Sequence, residues 1–272
     1  MTHLQKIGDR MARPDSIDTS VVAESAAFTT KSAPSFVGEI AAVIESSEPQ
    51  REIFMAVTAG GTDANLAYNE SMLLKVDGRI DAHLFEQALE QVALRHDALR
   101  ATFNRYGTQL CIHRRLMPGY RIVDVSQSAD PQLRIEQERL AAVSEPFDLA
   151  RGPLFRGVLI QCPGACSAII LTYHHIVCDG WSTAILLEEL AELYASLAGK
   201  RPAILVEPEY YLQYLQWLQS NEYLRLKNAD EDYWVDKFAN GHPVLDLPAD
   251  YQRPPWRTYR SLRCDRKLDR AL

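Results

Sequence analysis

The 272-residue sequence lacks any excess of positive charge: 29 Lys and Arg stand against 36 Asp and Glu, a formal net charge of -7. Such a surface repels a phosphate backbone and no basic stripe interrupts it, which argues against general nucleic-acid binding. Long apolar runs are missing too. Stretches such as Ala168-Ile169-Ile170-Leu171 fall far short of the roughly 20 residues a membrane-spanning helix needs, so no membrane association is expected. The opening Met1-Thr2-His3-Leu4-Gln5-Lys6 has no apolar core of a secretory signal, and the expected compartment is reducing and cytoplasmic. Cysteine is scarce and odd in number, at five, which suits unpaired thiols better than a disulfide framework. Cys162 and Cys166 have no second Cys or His pair at ligand spacing, so no metal site is expected. Thirteen Gly and 14 Pro are too few for a collagen-like or low-complexity chain. What remains, 47% hydrophobic and 24% charged, is a globular protein long enough for one large domain or two modest ones.

Residues 1–45, rich in Ser, Thr and Ala without sustained periodicity, read as a flexible arm or linker. Ser71 to Val76 reads as a strand. It is followed, after Asp77-Gly78, by a helix capped by Asp81 with Leu84, Phe85, Ala88, Leu89 and Val92 on one face. Leu99 to Tyr106 and Thr108 to Arg114 predict two strands joined around Gly107, with a further short strand over Tyr120 to Val125. Pro131 opens a helix whose apolar positions are Leu133, Leu140, Ala141 and Val143. Leu154 to Gln161 and Ala168 to Tyr173 flank a Cys-Pro-Gly turn and predict a hairpin. Thr183 to Leu197 carries Leu186, Leu190, Leu193 and Leu197 on one stripe, with Glu188, Glu189 and Glu192 off it. A long helical region spans Tyr210 to about Phe238, and a Pro-rich extended tail follows. Mixed strands and helices give an α/β (α+β) fold with a mixed sheet flanked by helices.

The most polar spot lies between the second hairpin strand and the Leu-striped helix: Tyr173-His174-His175-Ile176-Val177-Cys178-Asp179-Gly180-Trp181-Ser182. Adjacent residues on a strand face opposite ways, so one imidazole at most serves a given cleft. From the residues alone, His174 reads as a buried supporting group, and His175 either as the same or as a positioned base. Asp179 is placed to hydrogen-bond an imidazole, to cap the helix, or to pair with an arginine. Gly180 permits close backbone approach.

His174-His175-Ile176-Val177-Cys178-Asp179-Gly180 resembles the HHxxxDG signature of condensation domains of nonribosomal peptide synthetases, relatives of chloramphenicol acetyltransferase. Three further segments resemble that family's motifs in the same order. Ser47-Glu48-Pro49-Gln50-Arg51-Glu52-Ile53-Phe54 is similar to SxAQxR(L/M)(W/Y), Arg95-His96-Asp97-Ala98-Leu99-Arg100-Ala101-Thr102-Phe103 to RHExLRTxF, and Tyr211-Leu212-Gln213-Tyr214-Leu215-Gln216-Trp217 to YxDYAxW. Pro49, Glu52, Ala101 and Gln213 depart from those patterns, while the histidine motif keeps all its fixed positions.

The resemblance implies a chloramphenicol acetyltransferase-like lobe that forms an amide by attack of a carrier-bound acceptor amine on a carrier-bound thioester. The substrates would ride on the phosphopantetheine of carrier proteins upstream and downstream, with no cofactor bound by this chain itself. It implies His175 near the amine, with His174, Asp179 and Gly180 completing the catalytic motif. Arg100 would pair with Asp179, Trp181 would pack the pocket wall, and His96 would be structural. It also implies a division into an arm (1–45), an N-terminal lobe (46–240), and a segment (241–272) crossing toward a C-terminal lobe. The alternatives left open are a noncatalytic carrier-docking module and an acyltransferase using free coenzyme A. Asn65 to Ser71 resembles condensation domains that follow a polyketide-type module, which implies a donor other than a simple α-amino acid.

Overall fold

The computed structural model describes residues 39–199, 201–252 and 254–260. Its elements run β1 (Ile40–Glu45), α1 (Glu48–Ala67), β2 (Asn69–Asp77), α2 (Ala82–Arg95), a 3-10 turn (Asp97–Arg100), β3 (Ala101–Phe103), β4 (Gln109–His113), β5 (Gly119–Asp124), α3 (Pro131–Val143), β6 (Phe155–Gln161), β7 (Cys166–His174), α4 (Gly180–Leu197), α5 (Tyr211–Leu218) and α6 (Asn221–Lys237). They form two sheets. A four-stranded sheet has the order β2-β7-β6-β5, and a three-stranded sheet the order β1-β4-β3. The hairpin expected around Cys162-Pro163-Gly164 is β6-β7, antiparallel from Phe155↔Tyr173 to Gln161↔Ser167, while β5 joins β6 in parallel.

The two central strands are apolar on both faces, as a sheet covered on both sides by helices requires. Leu159, Leu171 and Tyr173 pack with Phe85, Leu89 and Val92 of α2 and with Leu186, Leu190 and Leu193 of α4. The opposite face, with Val158, Ile160 and Ile170, packs on Ile135 and Ala142 of α3. A third cluster sets Phe103, Leu110 and Ile112 of the smaller sheet against Phe54 and Val57 of α1 and Leu215 of α5. Asp81 caps α2 through the amides of His83 and Leu84, as its sequence position predicts.

Several expectations are corrected. The end of the arm is structured, because β1 completes the smaller sheet by pairing with β4; residues 1–38 of the arm lie outside the described residues. α1 is not anticipated by the periodicity, which is interrupted at Gly61, a residue with φ of 61° inside the helix. The expected strand from Leu99 shrinks to three residues, its start being taken by the 3-10 turn. In α3 the buried side is Ile135, Glu138 and Ala142, and Leu133 and Leu140 are exposed. Glu138 is held there by Arg121 and Arg134. The long helical region is two helices, α6 being restarted by the Ser220 cap. Glu189, off the apolar stripe as expected, is nonetheless buried, with Arg95 and His96 on its carboxylate.

Candidate active site

The histidine motif occupies the junction of β7 and α4. His174 is the last residue of β7 and is fully buried between the rings of Tyr68 and Phe147. Its Nδ1 accepts from the Ile176 amide at 3.2 Å, so the neutral ring carries its hydrogen on Nε2, which has no partner among the described residues. Burial, helped by neighbouring His175, pulls its pKa down to about 4. His174 is therefore a neutral packing residue near pH 7.

The depressed value fixes a pH dependence. Below about pH 6.5 the unfolded chain takes up a proton on this ring that the folded chain refuses, so folding loses stability as pH falls from 6.5 to 4, by up to about 3 kcal/mol. Urea unfolding across that range should show the loss, and His174→Gln should flatten it. An unchanged slope in the variant would assign the loss to carboxylates instead.

His175 faces the other way, with its side chain 39% exposed. Its amide is tied to the Tyr68 carbonyl at 2.8 Å. The ring lines a groove of about 900 Å³, whose walls come from the first turns of α1 and α4, the segment His96–Ala98, and α5 with its preceding residues Glu209 and Tyr210. Nδ1 lies 3.0 Å from the Cys178 carbonyl and 2.5 Å from Oε1 of Glu70. Both neighbours only accept, so the neutral ring carries its hydrogen on Nδ1 and leaves the lone pair on Nε2. Three residues away, Cys178 is no nucleophile: burial raises its thiol to about 12.

The outer motifs converge on this groove through specific bonds. Ser47 and Gln50 form a capping box at the start of α1, and Gln50 Nε2 donates to the Ile176 carbonyl at 3.1 Å, next to His175. Asp97 is buried and accepts from the amides of Tyr211 and Leu212 at 2.8 and 2.9 Å, which caps α5 and holds the third outer motif against the second. His96 lines the groove with Nε2 2.7 Å from Glu189. Asn65 and Asn69, within the stretch read as polyketide-module-like, bond the backbone of Val143, Glu145 and Phe147.

Two implied supports are not built as expected. Arg100 forms no ion pair with Asp179. Its buried guanidinium donates to the carbonyls of Ala93 (3.0 Å), His113 and Arg114 (3.2 Å), because the 3-10 turn aims it at the end of α2 and the end of β4. Asp179 is the N-cap of α4, accepting from the Ser182 amide and hydroxyl at 2.8 and 2.6 Å, bonds that hold its carboxyl below the usual range. Trp181 is 81% exposed rather than packed in the groove wall. Gly180 opens α4, and a Cβ built on it meets nothing within 4 Å. Sequence reading missed Glu70, whose proximity to His175 depends on strand register, and Asp97, whose two acceptor oxygens serve a helix more than 100 residues away in sequence.

Among the described residues no three His, Cys, Asp or Glu side chains gather to hold a metal ion, and no helix is long and apolar enough to cross a membrane.

Comparison with known proteins places this geometry. The family model described as Condensation domain matches residues 41–272. The chain is 31% identical over 235 residues to chondramide synthase cmdD of Chondromyces crocatus, covering 85% of this chain and 6% of that protein. It is 30% identical over 228 residues to surfactin synthase subunit 2 of Bacillus subtilis (strain 168), covering 83% and 6%. The starter condensation domain of rhizomide synthetase RzmA superposes with a TM-score of 0.66 at 27% identity, over 74% of this chain and 48% of that one. The chain thus spans a small part of its curated relatives and about half of that solved domain. Its mixed sheets flanked by helices are the chloramphenicol acetyltransferase-like architecture of those domains, and the chain belongs to the condensation-domain family of nonribosomal peptide synthetases.

Proposed function

We propose that this chain is the N-terminal lobe of a condensation domain, and that the complete domain forms an amide bond between two carrier-bound substrates. The acceptor amine attacks the donor thioester carbonyl, the carbon–sulfur bond breaks, and the donor carrier's phosphopantetheine leaves as the thiol. The amine proton passes to His175 Nε2 and from there to the departing sulfur, so no redox partner and no cofactor bound by this chain are needed. The single observation that carries this reading is the His175 ring, turned into the groove with its lone pair on the free nitrogen.

A second lobe closes the groove. Exposed apolar side chains along α6 and beyond it, among them Leu226, Trp234, Phe238, Val244 and Leu245, support such a partner. The described residues of the segment read as the crossing, 241–252 and 254–260, carry no helix or strand, and 253 and 261–272 lie outside the described residues. The partners are upstream and downstream carrier proteins, and the setting is the cytoplasm. Asp179 and Gly180 shape the turn that presents His175, and Arg100 supports the site from a distance.

Bringing two tethered reactants together lowers the barrier chiefly by proximity, about 7 kcal/mol or more in well-oriented cases. The 272 residues alone, mixed with an acyl-loaded donor carrier and an aminoacyl-loaded acceptor carrier, should therefore give no amide above background by mass spectrometry, whereas the complete domain should give it. Amide formed by the 272 residues and abolished by His175→Ala would overturn the need for a second lobe. A complete domain that never forms amide from any loaded pair would overturn the reaction itself.

A further inference from the structure

Glu70 sits at the start of β2, directly across from Tyr173 of β7. The register puts both side chains on one face of the sheet, the face to which the chain turns at His175. One carboxylate oxygen of Glu70 is 2.5 Å from His175 Nδ1, and the other accepts from the Tyr173 hydroxyl at 3.0 Å. That hydroxyl also contacts Thr183 Oγ1 in the first turn of α4. A continuous set of polar contacts thus runs from α4 through Tyr173 and Glu70 to the ring that lines the groove.

We infer that Glu70 is a positioning residue for His175, fixing the orientation and the Nδ1–H form of its ring so that Nε2 faces the acceptor amine. The assignment rests on the reaction proposed above. Cys178 O already takes one direction from Nδ1. A carboxylate on the same nitrogen adds what a carbonyl does not, a full negative charge beside a ring that becomes positive when Nε2 accepts a proton. Tyr173 keeps that charge from swinging away. Because the Glu70 side chain is 36% exposed, solvent screens part of the effect.

Glu70→Ala in the complete condensation domain should lower kcat about tenfold, with KM for both loaded carriers unchanged. Glu70→Gln, which keeps the shape but not the charge, should lower it by a smaller factor and guards against a folding defect. In the 272-residue chain, nitrogen NMR of His175 should show the hydrogen on Nδ1 in the wild type and a shift toward the Nε2–H form in Glu70→Ala. Anything short of both changes, in rate and in ring form, overturns the assignment. If instead His175→Ala leaves amide formation intact, the proposed reaction fails while the NMR result still reports on the Glu70–His175 pair.

Discussion

His175→Ala in the complete condensation domain is expected to lower the rate of amide formation by about 10²- to 10⁴-fold, the range over which a positioned general base acts. Binding of the loaded carriers should be untouched, because the ring lies within the groove rather than on the outer surface of α4 or α6. His175 Nε2 is the nitrogen with a free lone pair, and the neighbours of Nδ1 prevent a tautomer swap from restoring that function from the other side. A pre-steady-state assay with both carriers loaded separates the chemical step from docking. A loss confined to docking would relocate the role of His175 to carrier recognition. His174→Ala is a different experiment: it removes a buried ring packed between Tyr68 and Phe147, and its first effect should be on stability.

Arg100→Leu is expected to destabilise the fold by about 3 kcal/mol, the scale of losing a buried charged hydrogen-bond group together with its partners' satisfaction. Arg100 is 9% exposed, and its guanidinium ties the last turn of α2, through Ala93, to the backbone following β4. A cation at a helix C-terminus is also favoured by the helix dipole. Burial pulls the pKa of Arg100 down while Asp97 opposes it. Asp179→Ala, by contrast, removes only a helix cap and should cost about 1 kcal/mol. If Arg100 and Asp179 formed the implied pair, the double variant would be coupled; from their separate partners, the two losses should add to within about 0.5 kcal/mol in urea unfolding. A larger coupling would restore the pairing that the geometry denies.

The contrast between those two residues shows where the sequence was legible. Asp179 is a local device: its partner is three residues away, and capping was one of its three sequence readings. The β6-β7 hairpin, the Asp81 cap and the α4 stripe are legible for the same reason, since periodicity and turn chemistry act within a few residues. Arg100, Glu70 and Asp97 take partners 7 to 115 residues away. Even the nearest of these, the Ala93 carbonyl, depends on the tight 3-10 turn that the strand reading of Leu99 to Tyr106 did not contain. Trp181 misled because an aromatic beside a motif reads as wall, while the first turn of α4 points it outward. Periodicity places Glu189 off the apolar stripe of α4 and gives no sign of its two partners, Arg95 at the end of α2 and His96 just after it. The family resemblance singled out His175, whose ring lines the groove, while its pairing of Arg100 with Asp179 is not built in this chain.

The β2-β7 ladder, nine residue pairs in unbroken register from Asn69↔His174 to Asp77↔Cys166, also governs how this chain tolerates recombination with its relatives. A splice between residues 78 and 165 would leave the histidine motif whole yet take the residue beside its ring from the other parent. Such a hybrid inherits a complete signature and an unmatched neighbour at once. Junctions before Tyr68 or after Thr183 keep the ring, its carboxylate and the tyrosine between them together. The unit of exchange set by this architecture is therefore the strand pair rather than the seven-residue motif.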